Sequence, residues 1–244
     1  CASSTGVFSV SSAGQDLWIA SQFPGGYQGW GFEIGAVDGK LLSNTLALEN
    51  AGWNILCVEA MHLHAAGLFA NRRRFLMCAV GQHAEEWGNF HVNAHNPTAY
   101  SSLAPGPERM PHMMELRVPI LTLNQIFYMS GFPRLDLVSI DIEGGELEAL
   151  KGLDLARWHP QVIVAECWPN TDAAEKLRDY LGPFGYRDQI TMEHDHGFVY
   201  ERDYRRADRQ DEHQHPEAAP PAEPGAAGQV RGPRPRRRSR RPGA

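Results

Sequence analysis

Short apolar runs separated by longer helix-like stretches organise this chain. Runs of strand length lie at 30–36, 54–59, 75–80, 136–142 and 161–167, each continuous enough to be buried on both faces. Between them the sequence predicts helices over 43–51, 62–72, 121–130, 145–155 and 172–182. The first has Ser43 as its N-cap and Gly52 just past its end. Strand and helix in alternation predict a parallel sheet with helices on both faces. Two further strands close the pattern over 186–201. Gly185-Tyr186 opens the first, and His196-Gly197 marks the turn before Phe198-Val199-Tyr200.

Three stretches fall outside this rhythm. Residues 1–29 hold Ser, Gly and Gln around the short patch Asp16-Leu17-Trp18-Ile19-Ala20, a helical lead-in. The stretch 82–119 is polar, with several prolines and His83, His91, His95 and His112. It is too long for an ordinary connection and reads as a lid or an extra hairpin. Within it Ser101-Ser102-Leu103 is assigned to the lid, and Met113 and Met114 to a core. From 203 onward Arg, Pro, Ala, Glu and Gly dominate, and too little apolar surface is left to offset the entropy of ordering. The expected organisation is a lead-in (1–29), one α/β domain (30–202) with an insertion (82–119), and a disordered Arg/Pro-rich tail (203–244). A length of 244 residues suits one well-buried domain with appendages.

Charge sharpens that division. Residues 201–244 carry eleven Arg and seven acids, a balance of +4, against −10 for residues 1–200. An acidic body argues against nucleic-acid binding except through the tail, and a solvated arginine-rich end is the plainer reading of that tail. Cys57, Cys78 and Cys167 sit in apolar runs as small buried hydrophobes, and no cysteine pair has metal-ligand spacing. A reducing cytosol is therefore the expected compartment. No run approaches the roughly 18 apolar residues of a membrane span. The chain begins at Cys1 rather than Met, which leaves open a lost targeting peptide.

The chemistry collects at strand ends. The first strand runs into Glu33-x-Gly35-x-x-x-Gly39, two glycines that let the backbone turn sharply and approach a ligand. This is not the dinucleotide spacing G-x-G-x-x-G. An acid at the strand end suits a cofactor that carries an amino acid, its carboxylate meeting an ammonium. The second strand ends in Glu59, twenty residues after Gly39, where doubly wound folds set a carboxylate on ribose hydroxyls. The fourth ends in Asp141-Ile142-Glu143-Gly144-Gly145-Glu146. Two carboxylates two residues apart on a strand face one side, where they could hold a substrate hydroxyl, accept its proton or hold a divalent cation. Glu146 reads instead as a favourable charge at the next helix N-terminus.

Together these residues resemble the FkbM-type methyltransferases. The resemblance runs from about 14 to 168 through Phe32-Glu33-Ile34-Gly35-Ala36-Val37-Asp38-Gly39, Ser43-Asn44-Thr45, Leu48-Glu49, Gly52-Trp53, Cys57-Val58-Glu59-Ala60, Asn71-Arg72 and Ser139-Ile140-Asp141-Ile142-Glu143-Gly144. It implies a class I methyltransferase fold, Rossmann-like and doubly wound, with a mostly parallel seven-stranded sheet. It implies S-adenosylmethionine as cofactor and O-methylation of a sugar or polyketide-like small molecule. By position, Glu33, Gly35, Ala36, Asp38 and Gly39 would surround the methionine part. Ser43 and Asn44 would meet the cofactor carboxylate, Glu59 and Ala60 the nucleoside, and Asp141 the methyl-transfer centre. Ala60-Met61-His62 stands where family members commonly show Asn or Pro, which puts the adenine-side contacts in doubt.

The expected catalytic residues are Asp141 and Glu143. Glu166, His64, His95, His194 and His196 are the other candidates for a base, and His194-Asp195-His196 reads as a polar turn rather than a metal pair. No metal site is expected, although a divalent cation would fit the carboxylates. The partner is a small hydroxylated acceptor; the sequence sets no oligomeric state. Two other classes remain: a nicotinamide-dependent oxidoreductase, disfavoured by the glycine spacing, and a non-catalytic protein binding through its Arg-rich tail.

Overall fold

The computed structural model describes residues 9–93, 101–103 and 113–201. His95, His112 and the tail from 203 lie outside the described residues. Helix α1 (Gln15–Ser21) leads into β1 (Trp30–Ile34), α2 (Leu46–Asn50), β2 (Asn54–Glu59), a 3-10 turn (His62–His64), α3 (Ala65–Asn71) and β3 (Phe75–Met77). After β4 (Ala79–Val80), β5 (Glu85–Asn93) and β6 (Met113–Leu121) come α4 (Leu123–Ser130), β7 (Leu137–Ile140), α5 (Glu146–Lys151), β8 (Val162–Glu166), α6 (Ala173–Leu181), β9 (Tyr186–Met192) and β10 (Asp195–Tyr200). The main sheet has seven strands in the order β3-β2-β1-β7-β8-β10-β9, and β10 runs antiparallel to both its neighbours.

β1 lies between β2 and β7, parallel to both, and every β1 residue except Trp30 is buried. The strand reversal needed to build a crevice lies here: the chain moves outward from β1 through β2 to β3, then returns to β7 on its other side. Ligands of open α/β sheets bind at the carboxyl ends of the strands at such a switch point. Two apolar layers cover the sheet. One carries Phe32, Val58, Val138, Ile140, Ile163 and Phe198; the other carries Ile19, Leu48, Trp53, Ile55, Leu137 and Val164. The alternation of these residues along each strand is the period of two written in the sequence.

The structure departs from the sequence reading in four places. The run 75–80 divides: β3 pairs with β2, whereas β4 pairs with β6 in a separate sheet of order β4-β6-β5. Both halves are apolar, so only the available hydrogen-bonding partner distinguishes them. Within the lead-in, Ile19 and Ala20 of α1 pack into the core with β1-side residues. The helix expected at 43–51 spans only Leu46–Asn50, with Thr45 at its N-cap position; the Ser43 hydroxyl accepts instead from the Leu46 N–H. His196-Gly197 is not a turn but part of β10, and the chain reverses at Glu193-His194, with Glu193 at φ 55°. A Cβ at Gly197 would lie 2.4 Å from the Trp18 ring, so this glycine serves a close approach of α1. Finally, Met114 is 53% exposed rather than core.

The insertion is a β5–β6 hairpin. Phe90, Val92, Val118 and Ile120 turn inward and meet Ala60, Met61 and Ala79 of the main domain. Helix α4 starts with a reciprocal cap, Thr122 accepting from the Gln125 N–H while Gln125 accepts from the Thr122 N–H, and Gly131 ends it in left-handed conformation. Thr122→Ala is expected to lower stability by about 1 kcal/mol, read as a shifted urea midpoint at unchanged slope. Among the described residues no helix is long and apolar enough to cross a membrane.

Candidate functional site

One cavity of about 720 Å³ opens along the carboxyl ends of the central strands. Its wall begins at the β1 turn. Gly35 sits at φ 84°, and its amide donates to the Val58 carbonyl at 2.9 Å. A Cβ there would fall 1.7 Å from the Asp141 carbonyl oxygen, so the turn lies directly against the end of β7. Among the described residues five non-glycines have positive φ, and three of them, Val37, Leu42 and Glu143, line this cavity. Left-handed backbone in such residues costs about 1–3 kcal/mol each and collects at functional sites.

Two carboxylates hold the turn in place. The Glu59 Oε2 accepts from the Val37 N–H at 2.9 Å, and its Oε1 accepts from the Met61 N–H at 2.8 Å. Burial raises its pKa, and these amides act against that rise. Glu33 is more fully occupied. It accepts from the Asn44 N–H, from the Ser43 and Thr45 hydroxyls, and from Nη1 of Arg72. Arg72 is itself buried and also donates through Nε to Glu49. The expected meeting of Glu33 with a ligand ammonium therefore competes with four protein donors already in place.

The expected site residues separate in space. Glu33, Gly35, Ala36, Asn44, Glu59, Ala60, Asp141 and Glu143 line the cavity, whereas Asp38, Gly39 and Ser43 do not. Each of those three has a structural task. The Asp38 carboxylate accepts from the Lys40 and Leu41 amides; burial alone would raise its pKa, but these bonds and the nearby His64 and Lys40 hold it below the ordinary value. Gly39, at φ 79°, leaves room for Arg72, whose Cγ would stand 2.4 Å from a Cβ there. Ser43 bridges Glu33 and the first amides of α2.

At the other end the acids crowd. β7 stops at Ile140, so strand alternation does not set the direction of Asp141 and Glu143; the turn does, with Glu143 at φ 62° and Gly144 at φ 100°. Glu146 stabilises that turn, its Oε1 accepting from the Ile142 and Gly144 amides. Asp141 is open to the cavity and shares a hydrogen bond with Glu166 at the end of β8. Desolvation raises both acids and the neighbouring carboxylates add to it; the shared hydrogen bond opposes the rise at Asp141 and adds to it at Glu166, so Glu166 is the partner that keeps the proton. Like charges this close cannot both ionise, so the pair holds a proton at neutral pH.

That pair sets a pH dependence. Its folded-state pKa values lie above the unfolded ones, so its contribution to stability is full below the ordinary glutamate value of 4.5 and is lost as pH rises. Glu166→Gln is expected to unfold at a higher temperature than the parent at pH 8, the gap closing toward pH 4.5. Thermal unfolding across this range checks it; a gap that widens on acidification contradicts it.

Cys78, Val80 and Phe90, which the sequence reading did not single out, join Leu103 of the expected lid in an apolar wall beside Ala60 and Met61, while Trp168 and the candidate base His194 stand at the acidic end. The last two rings stack, 6.2 Å apart and 10° from parallel. Nothing periodic marks Phe90; only the pairing of β5 with β6 delivers it. One oxygen each of Asp141, Glu146 and Glu166 lies within 4.8 Å of the others, a spacing that a divalent cation could use. Oε1 of Glu146 is also given to the Ile142 and Gly144 amides, so that side chain has two tasks at this place.

A sequence profile described as the methyltransferase FkbM domain matches residues 33–200. The chain is 37% identical over 75 residues to the methyltransferase sdnD of Sordaria araneosa, covering 30% of this chain and 24% of that protein. It thus aligns with about a quarter of that relative's length. Among solved structures, the cofactor-bound Rv0187 from MTB is 14% identical with a TM-score of 0.41, over 79% of this chain and 82% of that one. The O-methyltransferase from Bacillus cereus in complex with SAH is 14% identical with a TM-score of 0.37, over 76% of each chain. With its domain matched across 33–200 and its strands in this order, the chain belongs to the FkbM methyltransferase family.

Proposed function

We propose that this protein uses S-adenosylmethionine to methylate a hydroxyl group on a small molecule, a sugar or polyketide-like compound. The observation that carries the reading is a single cavity walled by the side-chain-free Gly35 turn, by Glu59 at the end of β2 and by Asp141 at the end of β7. These residues fit such a cofactor. Glu59 keeps lone pairs beyond those given to Val37 and Met61 and can accept ribose hydroxyls. The apolar wall of Ala60, Met61, Cys78 and Phe90 suits an adenine ring. Gly35, Ala36 and Asn44 would border the methionine part. Asn44 donates its amide to the Ser139 hydroxyl at 3.1 Å, which fixes its direction in the wall.

When bound, the cofactor supplies a sulfonium methyl group for direct displacement. The protein's share is to align the acceptor oxygen and remove its proton. Asp141 is the proton acceptor in this reading, with Glu143 beside it and Glu166 sharing the charge. A raised pKa suits that task, because a base works best with a pKa near the working pH. Ionised carboxylates at the same end would also favour a positive sulfonium before transfer.

Calorimetric titration with S-adenosylhomocysteine tests the reading. Saturable binding is expected, weakened at least tenfold by Glu59→Ala, about 1.4 kcal/mol. Absence of that binding, together with tight uptake of a dinucleotide, would sink it.

A further inference from the structure

Asn44 stands where β1, β7 and β10 come together. Its backbone N–H donates to Glu33, so it borders the end of β1, and it lines the cavity although it is only 8% exposed. Its side-chain nitrogen donates to the Ser139 hydroxyl on β7 at 3.1 Å. Its side chain also shares a hydrogen bond with Asp195, the first residue of β10. A carboxylate only accepts, so it is the amide nitrogen of Asn44 that meets Asp195. A primary amide has two hydrogens, and these two partners take both. What is left is the carbonyl oxygen Oδ1, which has no donor among the described residues. An acceptor without a donor in a cavity wall points to a ligand that supplies one.

Asp195 does not itself line the cavity. Its Oδ2 accepts from Nε2 of Gln15 at 2.7 Å. Gln15 is 1% exposed, and its own direction is fixed because its Oε1 accepts from the Ala13 N–H at 2.8 Å. The polarity of Asn44 is thus set from α1, through Asp195. Glu33 has no such free oxygen, since four protein donors occupy it. In the methionine part of the cofactor the carboxylate only accepts and the sulfonium carries no hydrogen. The ammonium alone donates. We infer that Asn44 Oδ1 receives the ammonium of the cofactor, and that Asp195 is the positioning residue that turns this oxygen to the cavity. The inference rests on the methyltransferase reading above. It gives Asn44 the opposite partner from the one implied by the family resemblance, because no hydrogen of its side chain remains for a cofactor carboxylate.

Calorimetry on the full chain at neutral pH tests this with two probes. One is S-adenosylhomocysteine; the other is its analogue in which hydrogen replaces the amino group. The analogue keeps the carboxylate, the thioether and the nucleoside. The parent protein is expected to bind S-adenosylhomocysteine at least tenfold tighter than the analogue, the scale of a hydrogen bond from a charged donor. Asn44→Ala should weaken S-adenosylhomocysteine binding and leave the analogue's affinity as it was, so that the two converge. Damage to the fold would weaken both probes alike and keep their ratio. Asp195→Asn is the second variant, nearly identical in shape, and decides alone should Asn44→Ala not fold. Gln15 claims the oxygen of the new amide, so its nitrogen faces Asn44 and draws Oδ1 away from the cavity. The preference for the amino group should fall in this variant too. Equal binding of the two probes to the parent, a preference that survives Asn44→Ala or Asp195→Asn, or equal weakening of both probes would each overturn the inference. Failure of the parent to bind S-adenosylhomocysteine would instead overturn the underlying methyltransferase reading.

Discussion

Gly35→Ala is expected to destabilise the protein by about 2–5 kcal/mol and to abolish S-adenosylhomocysteine binding in whatever fraction still folds. Two terms add. A side chain in left-handed backbone costs roughly 1–2 kcal/mol, and overpacking a filled site costs about 1–3 kcal/mol more. The second term is certain to act here, because the added carbon would stand 1.7 Å from the Asp141 carbonyl oxygen, a backbone atom that cannot rotate away. Relief requires β1 and β7 to separate at their carboxyl ends, where the cavity wall lies. Gly144 provides the control. It also has positive φ, at 100°, yet a Cβ there meets nothing within 4 Å. Gly144→Ala should show only the backbone term. Urea unfolding of both variants, with calorimetry on the folded fraction, separates them; equal losses would refute the steric account.

Arg72→Met is the second large effect, with an expected loss of about 3–5 kcal/mol. Arg72 lies between Glu33 and Glu49, all three buried, and also donates to the Thr45 hydroxyl and the Gly39 carbonyl. Removing the cation strands two carboxylates in the interior rather than merely deleting two ion pairs. The adjacent Arg73 offers a contrast, since it stands 3.9 Å from Glu49 with a side chain 66% exposed. Arg73→Ala should cost at most about 0.5 kcal/mol. Because Glu33 orders residues 43–45, Arg72→Met should also loosen Asn44 and weaken S-adenosylhomocysteine binding. Denaturant midpoints give the stability difference. An unchanged midpoint would show that the triad is not the clasp of this turn.

Much of the sheet was legible because buried parallel strands leave continuous apolar runs, and four of the five expected runs, at 30–36, 54–59, 136–142 and 161–167, became single strands of the main sheet. The fifth split, since Phe75–Met77 and Ala79–Val80 differ in partner and not in polarity. The 186–201 hairpin was visible but its turn was misread. Gly197 suggested a reversal, whereas its task is to admit the Trp18 ring, a contact 179 positions away in sequence that no local signal carries. Among the site residues, Glu59 and Asp141 were legible as acids ending apolar strands. Asp38, Gly39 and Ser43 were given ligand roles by their positions in the family resemblance. Only the packed structure separates those facing the cavity from those serving Asp38's own turn, Arg72 and α2.

The sequence by itself determined the strand–helix alternation, the glycine turn and the acids at the strand ends, all of which depend on residues within a few positions of each other. Its motifs were also enough to indicate the FkbM family. What the tertiary structure decided is which of these groups meet. Glu166 and Asp141 are 25 positions apart, yet the parallel pairing of β7 with β8 brings them to share a hydrogen bond. Phe90 reaches Met61 only because the insertion folds into a hairpin against the main domain. The ionisation of the cavity's acids arises from such meetings: it depends on burial and neighbours, and neither can be read along the chain.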